Sequence, residues 1–153
     1  MLNESLFAVD IWPEIALRLG LATAIGMAVG WEREVKDYPA GIRTHGLIAL
    51  SAATITVIAM LLFYQLRGPD TQMDPLRVIE GMATAAGFVG GGLIVIRGGD
   101  VKNITTAAHI WMTATLGIAC GAGQYVLVGI ASALAIFLLV AVQMLKPSKS
   151  DGT

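Results

Sequence analysis

The stretch LIALSAATITVIAMLLFY, at residues 47–64, decides the fold class of this chain. It runs for eighteen residues without a charged side chain, about the length that an α-helix needs to cross the hydrocarbon core of a bilayer. The chain of 153 residues agrees with it, because 56% of the residues are hydrophobic and only 14% are charged, whereas roughly one quarter are charged in soluble domains. The sequence therefore predicts an all-α membrane protein and excludes a cytosolic enzyme, a disulfide scaffold and a disordered tail.

Other apolar runs of similar length lie on both sides of this stretch. The predicted spans are residues 15–31, 47–64, 78–96, 104–120 and 125–145. The breaks between them hold the glycine, proline and aspartate residues that are typical of turns. The last break, Gly121-Ala122-Gly123, is so short that helices four and five should form an antiparallel hairpin. We therefore expect a polytopic transmembrane helical bundle, a single domain at residues 1–146 followed by a short polar tail at 147–153.

Basic residues predict the orientation of these spans, because cytoplasmic loops carry an excess of Lys and Arg. One side of the predicted bundle holds only Arg67 and Arg77. The side with the odd-numbered connections and the C-terminus holds seven basic residues: Arg33, Lys36, Arg43, Arg97, Lys102, Lys146 and Lys149. We therefore expect the N-terminus outside and the C-terminus in the cytoplasm.

Charged residues near the helix ends offer a few candidate interactions. Glu14 and Arg18 lie four residues apart in the order that favours an ion pair on a helix. Asp74, Arg77 and Glu80 are spaced by three, along one edge of the third helix. A charge inside a span costs at least about 2.5–3.5 kcal/mol on insertion scales. Either Arg77 and Glu80 form an ion pair that fixes the helix at the interface, or the carboxylate belongs to a polar pathway.

Glycines repeat at four-residue intervals in two helices. Gly26 and Gly30 lie in the first, and Gly87 and Gly91 lie in the third. Such patterns let helix backbones approach closely, and close packing is a main source of helix association in lipid. We therefore expect helices one and three to meet through these four glycines, with a homodimer as an additional arrangement. The glycine run at 90–92 also weakens the helix, and a kink there would expose carbonyls as in transporter ion sites.

The predicted fourth helix has a face of polar and small residues. This face contains Thr105, His109, Thr113, Gly117 and Cys120. Thr105 and Thr106 at its start are typical N-terminal caps. His109 is either satisfied by a neighbouring carbonyl or hydroxyl group, or it relays protons and meets Glu80.

The first connection, at residues 32–44, concentrates charge. Its candidate functional residues are Glu32, Arg33, Glu34, Arg43 and Thr44. Trp31, directly before them, suits an anchor in the membrane interface. The cluster fits a solvated loop, a determinant of topology or a docking surface, and the residues alone leave these three open.

The sequence shows none of the patterns that mark common catalytic or cofactor sites. It has no Walker A loop, dinucleotide fingerprint or H-E-x-x-H motif, and its two histidines and one cysteine are too widely separated to make a zinc site. Mg²⁺ requires several oxygen ligands, and one shallow carboxylate in the spans is a thin basis for such a site, so any metal stays unassigned. A net charge of −1 gives no reason to expect nucleic-acid binding. We therefore expect no enzymatic activity, no cofactor and no nucleic-acid partner.

Several short segments are weak signals alone but specific together. They are Glu32-Arg33-Glu34, Ala40-Gly41-Ile42-Arg43-Thr44-His45, Asp74-Pro75-Leu76-Arg77-Val78, Gly87-Phe88-Val89-Gly90-Gly91-Gly92, Thr105-Thr106-Ala107-Ala108 with Trp111, Gly117 and Gly121-Ala122-Gly123. In this order they resemble the MgtC/SapB family of bacterial inner-membrane proteins. The chain stops after its fifth predicted span, so we expect a short form without the soluble C-terminal domain that many members carry.

The resemblance implies a multi-pass protein of the bacterial plasma membrane. Some members are associated with growth under magnesium limitation and with survival inside macrophages. Those members are similar to regulators that act on other membrane machines, including the F-type ATP synthase, rather than to magnesium pumps. The implied partners are the lipid bilayer and a membrane protein, either ATP synthase or a transporter.

Two hypotheses for the function follow. In the first, the chain is a non-enzymatic protein that modulates a membrane partner or supports adaptation to low magnesium, and it recognises that partner through residues 32–44 and the groove on helix three. In the second, it is a small transporter or ion-conducting protein. Glu80, Arg77, His109 and Thr105 would then line a polar path beside the glycine run at 90–92.

Overall fold

The computed structural model describes residues 11–68, 74–97 and 99–145, and the predicted tail at 147–153 lies outside these residues. In chain order, the described elements are α1 (Trp12–Val35), α2 (Ile42–Leu66), α3 (Arg77–Leu93), β1 (Val95–Arg97), β2 (Asp100–Lys102), α4 (Ile104–Gly121) and α5 (Tyr125–Leu145). The helical architecture is confirmed. By length and composition, α1 and α2 qualify as membrane-spanning helices, whereas the count of five spans and the orientation stay predictions.

The interior of the bundle lies around α2 and α4. α1, α2 and α4 contact one another, and α4 also contacts α3 and α5. The side chains at the centre of α2 are small, and Ala49, Ala52 and Ala53 are fully buried. Small side chains let helix backbones approach closely, which is how helices associate where lipid removes the hydrophobic driving force.

Glycine pairs on α1 and on α4 bring both helices close to α2. On α1, a methyl group added at Gly26 would lie 2.6 Å from the His45 carbonyl oxygen, and one at Gly30 would lie 2.7 Å from that of Gly41. On α4, a methyl group at Gly117 would lie 2.5 Å from the Ala49 carbonyl oxygen. Gly121 of α4 is equally close to the next turn of α2. Only glycine fits these four positions without moving a helix.

The expected contact between the first and third helices is therefore wrong. Gly26 and Gly30 meet α2, because the connection at residues 36–41 is short and makes α1 and α2 antiparallel neighbours. On α3, Gly90 packs against Ala107 of α4, and a methyl group at Gly87 would meet Trp111 at an ordinary 3.6 Å. Gly91 and Gly92 face open space.

α3 continues as a helix through Gly90, Gly91 and Gly92, so the chain is not unwound there. The helix ends at Leu93, before the predicted end at 96, because the next residues form an antiparallel hairpin. In this hairpin Val95 pairs with Lys102, Ile96 with Val101, and Arg97 with Asp100. Asn103 closes its base by donating a hydrogen bond from Nδ2 to the Leu93 carbonyl oxygen at 3.0 Å.

The predicted hairpin of α4 and α5 is confirmed. Gly123 adopts a φ of 72°, a left-handed conformation that favours glycine. Its N–H donates to the Cys120 carbonyl, and the N–H of Gln124 donates to the Ala119 carbonyl. These two bonds form a Schellman motif, which satisfies the free carbonyls at the end of α4.

Candidate functional site

A buried arginine joins three segments at one end of the bundle. Arg33, in the last turn of α1, is only 4% exposed, and its Nη2 donates to the hydroxyl oxygen of Thr106 in the first turn of α4. Its guanidinium carbon lies 3.6 Å from the ring centroid of Tyr38 in the connection between α1 and α2. Thr106 therefore does not cap α4 as expected. It serves as a long-range partner, and the N-cap Asn103 makes no side-chain cap bond either.

Two histidines lie beside this arginine. His45 of α2 and His109 of α4 are buried, and their ring centroids are 6.3 Å apart in an edge-on arrangement. His45 Nδ1 lies 2.9 Å from the Gly41 carbonyl oxygen. Because a carbonyl only accepts, Nδ1 carries the proton and Nε2 of the neutral ring is an acceptor. We call Arg33, Tyr38, His45, Thr106 and His109 the polar junction.

The polar junction contains buried atoms without hydrogen-bond partners. These atoms are Arg33 Nε, His45 Nε2 and His109 Nδ1; among the described residues, Ser132 Oγ of α5, outside the junction, is the other such atom. A buried polar atom without a partner costs about 1–3 kcal/mol, so such groups in a folded protein mark places that hold water or ligand or change protonation state. The ion pairs of the described residues do not include Arg33.

His109 also reaches a second environment. It lines an apolar groove of about 390 Å³ between α1, α4 and α5, together with Val29, Met112 and Leu134. His109 thus lies between an apolar groove and the buried side chains of Arg33 and His45. An imidazole in this position can accept or donate at either nitrogen.

A polar cleft lies on the outer side of the polar junction. Its volume is about 330 Å³, and it is lined by Glu34, Asp37, Tyr38, Pro39, Gly41, Arg43 and Thr44. Glu34 Oε2 accepts a hydrogen bond from the Ile42 N–H at 3.0 Å and so supports the start of α2. Lys36 pairs with Glu32 at 2.8 Å. Arg43 is exposed, in contrast to the buried Arg33, so the two arginines of this connection have different roles.

The opposite end of the bundle is fastened by Arg18. Its Nε pairs with Glu14 at 2.8 Å, which confirms the predicted interaction, and its Nη1 donates to the Gly121 carbonyl oxygen at 2.9 Å. The hydroxyl of Tyr125 donates to the same carboxylate. Arg18 therefore links α1 to the turn between α4 and α5.

The structure does not assemble the predicted polar path along helices three and four. Arg77, Glu80 and Thr105 are exposed, and the ion pairs among the described residues do not join Arg77 to Glu80. Asp74, also exposed, accepts a hydrogen bond from the Leu76 N–H at 2.9 Å. Gly90 packs against Ala107, near the start of α4, so the opposite end of α3, which carries Glu80, lies away from His109. Within the described residues there is also no group of three His, Cys, Asp or Glu side chains that could hold a metal ion.

Sequence reasoning missed two members of the polar junction as candidate residues, Tyr38 and His45. His45 had a usable signal: it follows Gly41 by four residues, so a helix starting there brings its ring to the Gly41 carbonyl, which also accepts the His45 backbone N–H. Tyr38 had none, because its contact with Arg33 depends on the shape of the connection.

Comparison with known proteins relates this chain to one protein family. A family model described as "MgtC family" matches residues 19–148. "Protein SapB" of Bacillus subtilis is 40% identical over 135 residues, which are 87% of this chain and 57% of that protein. "Putative magnesium transporter YhiD" of Escherichia coli K12 is 36% identical, over 73% of this chain and 53% of that protein. "Protein MgtC" of Brucella abortus is 32% identical, over 82% of this chain and 49% of that protein.

This chain spans about half the length of the curated relatives that it matches. No solved structure matches it. The matched range, residues 19–148, contains both the polar junction and the polar cleft.

Proposed function

The chain belongs to the MgtC family of membrane proteins, and on that premise we propose that it is a non-enzymatic, five-span protein of the bacterial inner membrane. Its role is to modulate a membrane-protein partner, and through it to support adaptation to low magnesium. The partner class is an F-type ATP synthase or a transporter. The N-terminus lies outside, and the polar junction and polar cleft face the cytoplasm.

The observation that carries this proposal is that the first connection has a buried half and an outer half with different contacts. Arg33 is turned inward, where it binds Thr106 and stacks on Tyr38. Arg43, Glu34 and Thr44 line the cleft on the outer side. The buried half thus fixes the loop to α4, and the outer half presents charges of both signs at a defined position. Charge arranged in this way favours specific recognition of a protein surface.

The experiment is affinity purification from native membranes after mild cross-linking, with quantitative mass spectrometry of the bound proteins. We expect one membrane complex to be enriched with the wild type and lost with Arg43→Ala. Arg77→Ala is the matched control, because Arg77 is also an exposed arginine but lies at the start of α3, away from the cleft. Equal recovery of every protein with the wild type and Arg43→Ala would contradict the proposal.

Ion transport is the second candidate, and one structural observation favours it. His109 lies between the apolar groove and buried atoms that lack partners, and polar groups inside a span often mark ion or proton pathways. The name of the Escherichia coli relative also points to magnesium transport. The test is flux of Mg²⁺ and of H⁺ into liposomes containing the purified protein. Flux that is lost with His109→Gln would favour this candidate, and an absence of flux would favour the first.

A further inference from the structure

The hairpin of β1 and β2 has one apolar face that no helix covers. Its register places Ile96 opposite Val101, and because side chains alternate along a strand, these two share a face. Val95 and Lys102 belong to the other face. Ile96 is 74% exposed and Val101 is 50% exposed. The described part of the chain therefore leaves these two large apolar side chains uncovered, side by side on the hairpin.

The length of α3 bears on what surrounds this face. The helix has 17 residues, which corresponds to about 25 Å, whereas the hydrocarbon core of a bilayer is about 30 Å thick. The apolar sequence continues past the helix through Ile94, Val95 and Ile96. α4 then begins with another exposed apolar residue, Ile104. The hairpin therefore lies at the depth where the apolar band of a span ends.

An independent marker places the membrane interface at the same level. Trp31 of α1 is exposed, and tryptophan is enriched where hydrocarbon meets headgroups. Two residues further on, Arg33 bonds to Thr106, which is two residues from the first residue of α4. The exposed tryptophan and the base of the hairpin thus lie at one end of the bundle and close to one plane.

Contacts at the base of the hairpin also fix the direction in which the hairpin extends from α3 and α4. Asn103 holds a left-handed φ of 68° while its side chain bonds to the last carbonyl of α3. Gly99 has a φ of 89°, which permits a tight connection between the strands. The apolar face therefore points in a defined direction relative to α3 and α4.

From these observations we infer that the hairpin inserts into the membrane interface and binds lipid. Ile96 and Val101 lie among the upper acyl chains, and Lys102, on the other face, meets the phosphate groups of the headgroups. Basic residues next to inserted apolar ones are the usual composition of such interfacial segments. The inference rests on the five-span arrangement proposed above and commits to lipid, not to a second copy or another protein.

Spin labels on single cysteines test the inference in liposomes of phosphatidylethanolamine and phosphatidylglycerol. The variants are Ile96→Cys, Lys102→Cys and Phe88→Cys, each with the buried Cys120 replaced by Ala. Phe88 is 85% exposed on α3 and reports whether that helix itself lies in lipid. Collision with oxygen measures contact with acyl chains, and collision with a water-soluble nickel complex measures contact with water.

We expect the label at 96 to resemble the label at 88, with high oxygen and low nickel accessibility, and the label at 102 to be at least twofold more accessible to nickel. If the label at 88 lies in lipid but the label at 96 is as accessible to nickel as that at 102, the inference is overturned while the span stands. A label at 96 that neither reagent reaches overturns it as well, because protein would then cover the face. Water contact at all three positions overturns both the inference and the five-span arrangement.

Discussion

Arg33 near the end of α1 donates a hydrogen bond to the hydroxyl of Thr106 at the start of α4, although 73 residues separate them in the chain. The bond brings a buried cation to a helix that also carries His109, one turn further along. The bond joins α1 to α4 within the polar junction, and it fixes the position of the polar cleft on the outer side of the junction.

Removing the hydroxyl of Thr106 should destabilise the protein. In Thr106→Val the shape of the side chain is kept, but the buried guanidinium loses its partner, at a cost of about 1–3 kcal/mol. We expect a lower Tm in detergent, measured by thermal unfolding. Thr105→Val is the control, because Thr105 is exposed and should leave the Tm unchanged. Equal Tm values for the two variants would show that the bond adds nothing to stability.

The glycine pairs predict a contrast between alanine substitutions. Gly117→Ala places a methyl group 2.5 Å from the Ala49 carbonyl oxygen, so the helices must separate, and overpacking of this kind costs about 1–3 kcal/mol. Gly91 faces open space, so Gly91→Ala should gain up to about 1 kcal/mol from helix propensity. Thermal unfolding of both variants checks this. A larger loss of stability in Gly91→Ala than in Gly117→Ala would contradict this contrast. It would support instead the close packing of α3 through Gly91 that the sequence predicts.

At the other end of the bundle, Arg18→Gln should loosen the attachment of α1 to the turn between α4 and α5. The change removes the charge that meets Glu14 and weakens the bond to the Gly121 carbonyl. We expect a fall in Tm smaller than that of Thr106→Val, because Arg18 is partly exposed and solvent screens its ion pair. Arg67→Gln, at an exposed site, is the control. A Tm of Arg18→Gln that equals the control would contradict this attachment.

Local interactions could be predicted from the sequence because their partners lie within one helical turn. Glu14 and Arg18 are four residues apart, and this spacing alone brings them together on a helix. The short break at Gly121-Ala122-Gly123 likewise left α4 and α5 no arrangement except a hairpin. The presence of the helices could be predicted in the same way, because the apolar runs are long enough to form them.

Interactions between distant residues could not be predicted in this way. The spacing of Gly26 and Gly30 shows that one face of α1 is small, but not which helix fits that face. Thr106 stands where an N-cap is common, and nothing nearby in sequence indicates that Arg33 reaches it. The hairpin of β1 and β2 was not predicted, because Val95 and Ile96 continue the apolar run of α3. The hydropathy of the sequence therefore gives no sign of where the helix ends.

The proposed orientation predicts which side of the membrane each connection faces. In a background in which Ala replaces Cys120, Lys36→Cys should react with a membrane-impermeant maleimide only after the cells are opened. Arg67→Cys should react in intact spheroplasts, because it follows α2 on the opposite side. Both positions are exposed, so access to the cysteine should not limit labelling. Labelling of Lys36→Cys in intact spheroplasts would reverse the orientation.

The central claim is that the polar junction positions the polar cleft for a membrane partner. Its most direct test is the amount of partner recovered with Thr106→Val, which alters the buried contact and changes no residue that lines the cleft. We predict at least a threefold lower recovery than with Thr105→Val, at a temperature where both variants remain folded, and a similar loss with Arg43→Ala. Recovery of the partner with Thr106→Val that equals the recovery with Thr105→Val would contradict the claim.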